Sequence, residues 1–191
     1  SPFLVDPEPE GRGTIQLSVA LDTSGSMSEL AGGVGLEGLR KIVPKWTSML
    51  NPRDRISIVG FDTRVNVLLD DVSASDWLEK GWEIPVETGG GTRLANLTDW
   101  VVRTAQSGLR RYLVLVTDGA FADKTELSVQ AEQLRRAGVV VLAVGVGDEV
   151  ADELLCKLAR DTGGQCLMSG VDQAARFVAS AVLSNNGALD V

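Results

Sequence analysis

The chain has 191 residues, 44% apolar and 23% charged, the proportions of one globular domain rather than a disordered segment. Twenty-six acidic against eighteen basic side chains give a net charge of −8, which disfavours a general nucleic-acid binder and suits a protein that holds a cation. There is no histidine, so Ser-His-Asp and Cys-His catalysis and every His-ligated metal site are removed, and two cysteines are too few for a zinc ribbon or a disulfide scaffold.

Residues 1–13 carry three prolines and two glycines without periodicity and read as an N-terminal arm. Thr14–Leu21 is a buried strand. Residues 36–50 place Leu36, Leu39, Ile42, Val43, Trp46 and Leu50 on one helical face, with a kink or restart at Pro44. Arg55–Phe61 and Arg64–Leu69 form a hairpin turning at Asp62-Thr63. A short helical turn follows near Ser75–Glu79. Leu94–Ser107 is helical, Tyr112–Val116 is an apolar strand, and Lys124–Ala137 is a helix whose charged face is solvated. Val139–Val146 is a second wholly apolar strand. Val150–Thr162 is helical, Gln165–Met168 a short strand, Val171–Leu183 a final amphipathic helix, and 185–191 a tail.

Strands that alternate with helices and are apolar throughout predict an α/β fold: a doubly wound, mostly parallel sheet covered by helices on both faces, with one antiparallel edge strand. The domain is expected over residues 14–184. Right-handed crossovers bring the loops at the carboxyl ends of the strands to one edge, where open sheets of this kind bind ligands.

Three of those loops carry oxygen ligands. The first strand runs into Asp22-Thr23-Ser24-Gly25-Ser26, with oxygen side chains at every second position. One carboxylate and two hydroxyls form a hard half-shell suited to Mg²⁺, Mn²⁺ or Ca²⁺ rather than zinc or copper; the same residues also read as a Ser-rich turn capping a helix. Gly89-Gly90-Gly91-Thr92 presents one hydroxyl before a helix, and Val116-Thr117-Asp118-Gly119 closes an apolar strand with a carboxylate. The spacing Asp-x-Ser-x-Ser, a Thr about seventy residues on, and Asp-Gly after a strand resembles the metal-ion-dependent adhesion site of von Willebrand factor type A domains, over about residues 14–184.

The resemblance implies a Rossmann-like fold and a metal site of Asp22, Ser24, Ser26, Thr92 and Asp118. It implies direct ligation by Ser24 and Ser26, indirect support from Asp22, and exchange of Thr92 and Asp118 between direct and water-mediated ligation. It also implies an open position for an acidic group of a partner. The expected function is thus a divalent-cation-dependent protein–protein interaction module, not an enzyme, with Mg²⁺ or Mn²⁺ as cofactor and Ca²⁺ as a further candidate. Its partner would be a protein offering Asp or Glu, such as an AAA+ ATPase or a multiprotein assembly. The alternative is a Mg-dependent phosphatase of the haloacid-dehalogenase type using Asp22 as nucleophile. That chemistry wants a second carboxylate where Ser24 stands and a lysine at a strand end, and a serine nucleophile has no histidine base.

Other signals are lesser. Gly33, Gly35 and Gly38 spell G-x-G-x-x-G but do not directly follow a strand, and read as a helix entry. Asn96-Leu97-Thr98 is a glycosylation sequon inside a helix. Trp46 and Trp100 read as core. Trp82, with Ile84 near it, reads either as a lid on the core or as a partner contact. Cys156 and Cys166, on a helix and the next strand, read as two buried thiols, with a bridge between them as the alternative. No apolar run approaches the ~20 residues of a membrane span and no leader opens the chain, although it starts at Ser1 as a piece cut from a longer protein would. Thirteen Arg to five Lys and twenty-four Val to five Ile point to a GC-rich prokaryotic source. With the low disulfide content, this tilts the expected location to the cytoplasm, with an extracellular or cell-surface location as the alternative.

Overall fold

The computed structural model describes residues 13–23, 50–80, 91–146, 152–168 and 173–187. Ser24, Ser26, the three glycines of the G-x-G-x-x-G run, Trp46, Trp82, Ile84 and most of the expected arm and first helix lie outside them. The described strands are β1 (Ile15–Asp22), β2 (Arg55–Phe61), β3 (Val65–Ser73), β4 (Arg110–Thr117), β5 (Val139–Gly145) and β6 (Gln165–Leu167). The described helices, in chain order, are α1 (Ala74–Lys80), α2 (Leu94–Thr104), α3 (Leu127–Arg136), α4 (Asp152–Asp161) and α5 (Ala174–Gly187). A 3-10 turn at Lys124–Glu126 leads into α3.

The strands make one six-stranded sheet in the order β3-β2-β1-β4-β5-β6. Every pairing is parallel except β2 with β3, which forms the antiparallel edge. The fold class expected from the sequence is therefore the observed one. The apolar runs are explained by burial on both faces. Ile15, Leu17, Val19 and Leu21 point to one side, where Trp77 of α1 and Ala174, Val178, Ala181 and Val182 of α5 cover them. Ala20 points to the other, with Val59, Phe61, Leu113, Leu115, Val141 and Ala143. That second face is covered by Leu97 and Trp100 of α2, Leu127 and Leu134 of α3, and Leu155 and Leu158 of α4. Since Asp22 shares the parity of Ala20, it belongs to the face that carries α2 and α3.

Gln16 and Ser18 are the other polar residues of β1 on that same face, and both are buried. Gln16 explains its own place: its amide nitrogen donates to the Thr104 carbonyl at 2.7 Å, and its amide oxygen accepts from the Gln106 backbone at 2.8 Å. It thereby satisfies backbone groups at the end of α2.

Four expectations need correction. β3 runs on to Ser73 rather than stopping at Leu69. The strand continues through Asp70-Asp71, where Asp71 takes a positive φ of 45° and the β2–β3 register shifts nearby. The irregularity is held by Asp71 itself, whose backbone N–H donates to Ser57 Oγ at 2.9 Å. Its carboxylate accepts from Arg55 Nε at 2.9 Å and Gln106 Nε2 at 2.7 Å. The Arg55 hydrogen bond holds the Asp71 carboxyl below its ordinary range, against a smaller opposing effect of burial.

Second, the charged run opens as a 3-10 turn before becoming α3. Its outer face is solvated as expected. Glu132 accepts from Arg135 and Arg136, whose hydrogen bonds hold its carboxyl down to about 2.

Third, α5 continues to Gly187, so residues 185–187 are helical rather than tail. Ser184 and the two asparagines are poor helix formers but do not break a helix already docked on the sheet; the glycine marks its end.

Fourth, Cys156 and Cys166 are not two thiols but a disulfide joining α4 to β6, with Cα atoms 5.2 Å apart. The chain reverses between them through Thr162-Gly163-Gly164. Gly163 has φ +85°, and a Cβ on Gly164 would fall 1.8 Å from the Val141 carbonyl oxygen. Only glycine lets the chain lie this close to β5, and that approach brings β6 back beside the helix it left. Closing a loop of this length stabilises by about 2–3 kcal/mol. Urea unfolding with and without reductant is expected to show a loss of that size; superimposable curves would contradict the bond.

Candidate functional site

The carboxyl ends of β1 and β4 lie side by side at the centre of the sheet. Leu21 is paired with Val116, so the next residues, Asp22 and Thr117, are adjacent. Asp22 is fully enclosed, at 0% exposure. A carboxylate removed from water costs several kcal/mol unless polar partners replace the lost hydration. Thr117 Oγ1 donates to Asp22 Oδ2 at 2.6 Å, and Thr92 Oγ1 donates to Asp22 Oδ1 at 3.3 Å. One hydroxyl comes from the neighbouring strand and the other from the loop before α2.

Asp118 follows Thr117 and is nearly buried, at 8% exposure, as is Thr92 at 2%. Asp118 Oδ1 accepts from the Ala120 backbone at 3.0 Å, and Thr117 Oγ1 accepts from the Gly119 backbone at 3.0 Å. Gly119 has φ +80°, a left-handed conformation that lets the chain turn sharply behind Asp118. The loop after β4 then rises past Ala122, whose N–H donates to the Thr92 carbonyl at 2.8 Å. It ends at Asp123, which is buried and accepts from Leu94 N–H at 3.0 Å and Ala95 N–H at 3.0 Å.

Of the five residues expected to bind metal, Asp22, Thr92 and Asp118 are thus described. Asp22 and Thr92 are in direct contact, and Asp118 is the next residue after Thr117, which holds Asp22. Ser24 and Ser26 continue from the end of β1 beyond the described residues. Among the described residues no group of three or more His, Cys, Asp or Glu could hold a metal; the donors here are two carboxylates and hydroxyls. An all-oxygen set of this kind fits a hard divalent cation, and Asp22, Thr92 and Asp118 would be the described residues around it.

Two residues of the site escaped the sequence reading. Thr117 was visible in the motif but unassigned; its signal is its register beside Asp22. Asp123 had no local signal, because it caps a helix nearly thirty residues before it in the chain. The sequon is also resolved: Asn96 sits on α2 with its side-chain amide donating to the Thr63 carbonyl at 2.6 Å, and Thr98 is fully buried. Trp100 is core, as expected.

The sequence model of the von Willebrand factor type A domain matches residues 17–179, and the chain belongs to that family, a family of protein-interaction modules. A mouse protein, the collagen alpha-5(VI) chain, is 30% identical over 114 residues, which are 53% of this chain and 4% of that protein's length. Among solved structures, an aerotolerance-related membrane protein from Bacteroides fragilis has a TM-score of 0.73 at 18% identity, over 89% of this chain and 99% of that one. Proximal thread matrix protein 1 from the mussel byssus, with a zinc-occupied MIDAS motif, has a TM-score of 0.72 at 18% identity, over 92% and 46%. A manganese-loaded TRAP protein from Plasmodium vivax has a TM-score of 0.61 at 14% identity, over 86% and 72%. At these identities the structures speak for the fold. Nothing in them or in the site favours the phosphatase alternative, which lacks support.

Thr117→Val tests the internal support of Asp22. It keeps the side-chain volume but removes the donor to Asp22 and the acceptor for Gly119. A loss of about 1–3 kcal/mol is expected in metal-free urea unfolding; an unchanged midpoint would mean that Thr117 does not hold the carboxylate.

Proposed function

We propose that the chain is a divalent-cation-dependent protein–protein interaction module whose metal is held by Asp22, Ser24, Ser26, Thr92 and Asp118. One observation carries the reading: a fully enclosed Asp22 carboxylate fixed by the hydroxyls of Thr92 and Thr117 at the strand edge where Asp118 also lies. The resemblance of the Asp22-x-Ser24-x-Ser26 loop to the adhesion-site motif supplies the two serines. Mg²⁺ or Mn²⁺ fits a small hydroxyl-rich shell best, with Ca²⁺ a further candidate. The zinc and manganese named for two structural neighbours make both ions useful arms of a titration.

The cation, when bound, supplies the positive charge that an Asp or Glu of the partner meets. The chain's own −8 cannot draw an acidic partner from a distance. Affinity therefore rests on the site and on apolar contacts around it, for which Trp82 and Ile84, in the segment leading to Thr92, are the candidates. On this reading the chain acts by binding rather than by turnover.

Among the described residues no helix is long and apolar enough to cross a membrane. The cytoplasmic expectation leaned on low disulfide content, and the Cys156–Cys166 bond removes that support. A disulfide favours an oxidising compartment, so we place the domain on the extracytoplasmic or cell-surface side, as part of a multiprotein assembly rather than beside an AAA+ ATPase. A prokaryotic source rests on the Arg and Val bias of the composition.

Thermal unfolding with added Mg²⁺ or Mn²⁺ should show a metal-induced rise in Tm for the wild type that is lost in Asp118→Ala. A variant that keeps the full wild-type shift would remove Asp118 from the site.

A further inference from the structure

The helix that follows Thr92 begins without a cap of its own. Arg93 occupies the N-cap position in an extended conformation and makes no capping hydrogen bond with its side chain. The first N–H groups of a helix need acceptors, most of all where the helix start is buried. Here the acceptor comes from elsewhere in the chain. Asp123 Oδ1 accepts from Leu94 N–H at 3.0 Å, and Asp123 Oδ2 accepts from Leu94 N–H at 3.2 Å and Ala95 N–H at 3.0 Å. A negative charge at this end of a helix is also favoured by the helix dipole.

Asp123 belongs to the loop that starts at Asp118. The same loop reaches Thr92 once more, through the Ala122 N–H donated to the Thr92 carbonyl. The segment that carries Asp118 therefore holds the Thr92 carbonyl through Ala122 and the start of the helix behind it through Asp123. By contrast, the direct bond from Thr92 to Asp22 is a single one of 3.3 Å, near the outer limit for a hydrogen bond. On the other flank, Arg93 N–H donates to the Asp62 carbonyl at 2.9 Å, which ties this body to the β2–β3 turn.

We propose that Asp123 is the positioning residue of the cation site: it locks the Thr92 loop and the Asp118 loop into one body, so that their two oxygens are presented at a fixed separation. This rests on the cation-dependent reading above. It adds that Thr92 and Asp118 do not adjust independently. Any rearrangement of the site moves them together against Asp22 on β1, through the weak Thr92–Asp22 contact. Loss of Asp123 frees Thr92 and makes binding pay for ordering it.

The test is Mn²⁺ affinity, read from the electron paramagnetic resonance of free and bound Mn²⁺, at a temperature where near-ultraviolet circular dichroism shows each protein folded. The proteins are the wild type, Asp123→Ala, Asp123→Asn and Thr162→Ala. Asn keeps one acceptor for α2 and guards against failure of the Ala variant to fold. Thr162 is buried between α4 and β6, and its Oγ1 accepts from Val141 N–H at 2.9 Å; its loss destabilises the fold away from the site. We expect Mn²⁺ binding about tenfold weaker or worse in Asp123→Ala, an intermediate loss in Asp123→Asn, and the wild-type value in Thr162→Ala. Repeating the titrations at about 0.5 M KCl separates positioning from a long-range charge effect, because salt screens only the second. A loss that persists in high salt supports positioning. Folded Asp123 variants with wild-type affinity at high salt overturn it, and so does an equal loss in Thr162→Ala. A wild type that binds no Mn²⁺, Mg²⁺ or Zn²⁺ instead overturns the cation reading itself and this inference with it.

Discussion

The constraint on which the site depends is the burial of Asp22. A carboxylate at the end of the central strand, shut off from solvent, must be met by polar groups or it destabilises the sheet it terminates. The fold meets it with hydroxyls from Thr117 and Thr92. Thr117 is supplied by the parallel register of β1 and β4, which sets the two strand ends level. Thr92 is supplied from outside the sheet, and its placement is what the longer connections achieve. An apolar residue at position 22 would be the stable choice for a purely structural strand end. The retention of a carboxylate there, surrounded by hydroxyl oxygens and followed by Ser24 and Ser26, is what a cation site requires and a hydrophobic core does not.

The loops around Asp22 are in turn tied together by hydrogen bonds to backbone groups, with Phe121 and Leu94 packed in the core beside them. Ala122, Asp123 and Asp62 together satisfy backbone groups of residues 92–95. The start of α2 is thereby joined to the loop after β4 and to the turn after β2. Thr23 N–H, at the end of β1, donates to the Phe61 carbonyl at 2.8 Å, which ties the departing chain to the same edge. On the opposite flank, the Cys156–Cys166 bond and the close approach of Gly164 to Val141 secure the short strand β6. The ends of β1 and β4 are thus tied to the loops around them, and the short edge strand β6 is fastened covalently.

Much of this was legible in the sequence, for a physical reason. Strands buried on both faces leave unbroken apolar runs such as Val139–Val146 and Tyr112–Val116, and these mark a parallel sheet. Asp22 and Asp118 stand out as carboxylates placed where such apolar runs end. What could not be read depends on contacts between distant segments. Asp123 caps a helix that precedes it, and no spacing rule links the two. The disulfide needs the sharp reversal at Gly163-Gly164, which ten residues of sequence separation do not reveal. Asp70-Asp71 has the composition of a strand end, yet Arg55 and Ser57 keep the strand going past it. The register of Thr117 against Asp22 was inferable once the strands were set parallel, but only with the strand order known.

The most direct measurement is the position of the metal itself. Crystals of the domain grown with Mn²⁺ and measured at a wavelength where manganese scatters anomalously would show it without assumptions about ligands. The account predicts one strong anomalous peak at the strand edge, within coordination distance of oxygens drawn from Ser24, Ser26, Thr92 and Asp118, with Asp22 beside it. A peak located only elsewhere, or a well-ordered site at Asp22 with no anomalous signal at saturating Mn²⁺, would contradict it.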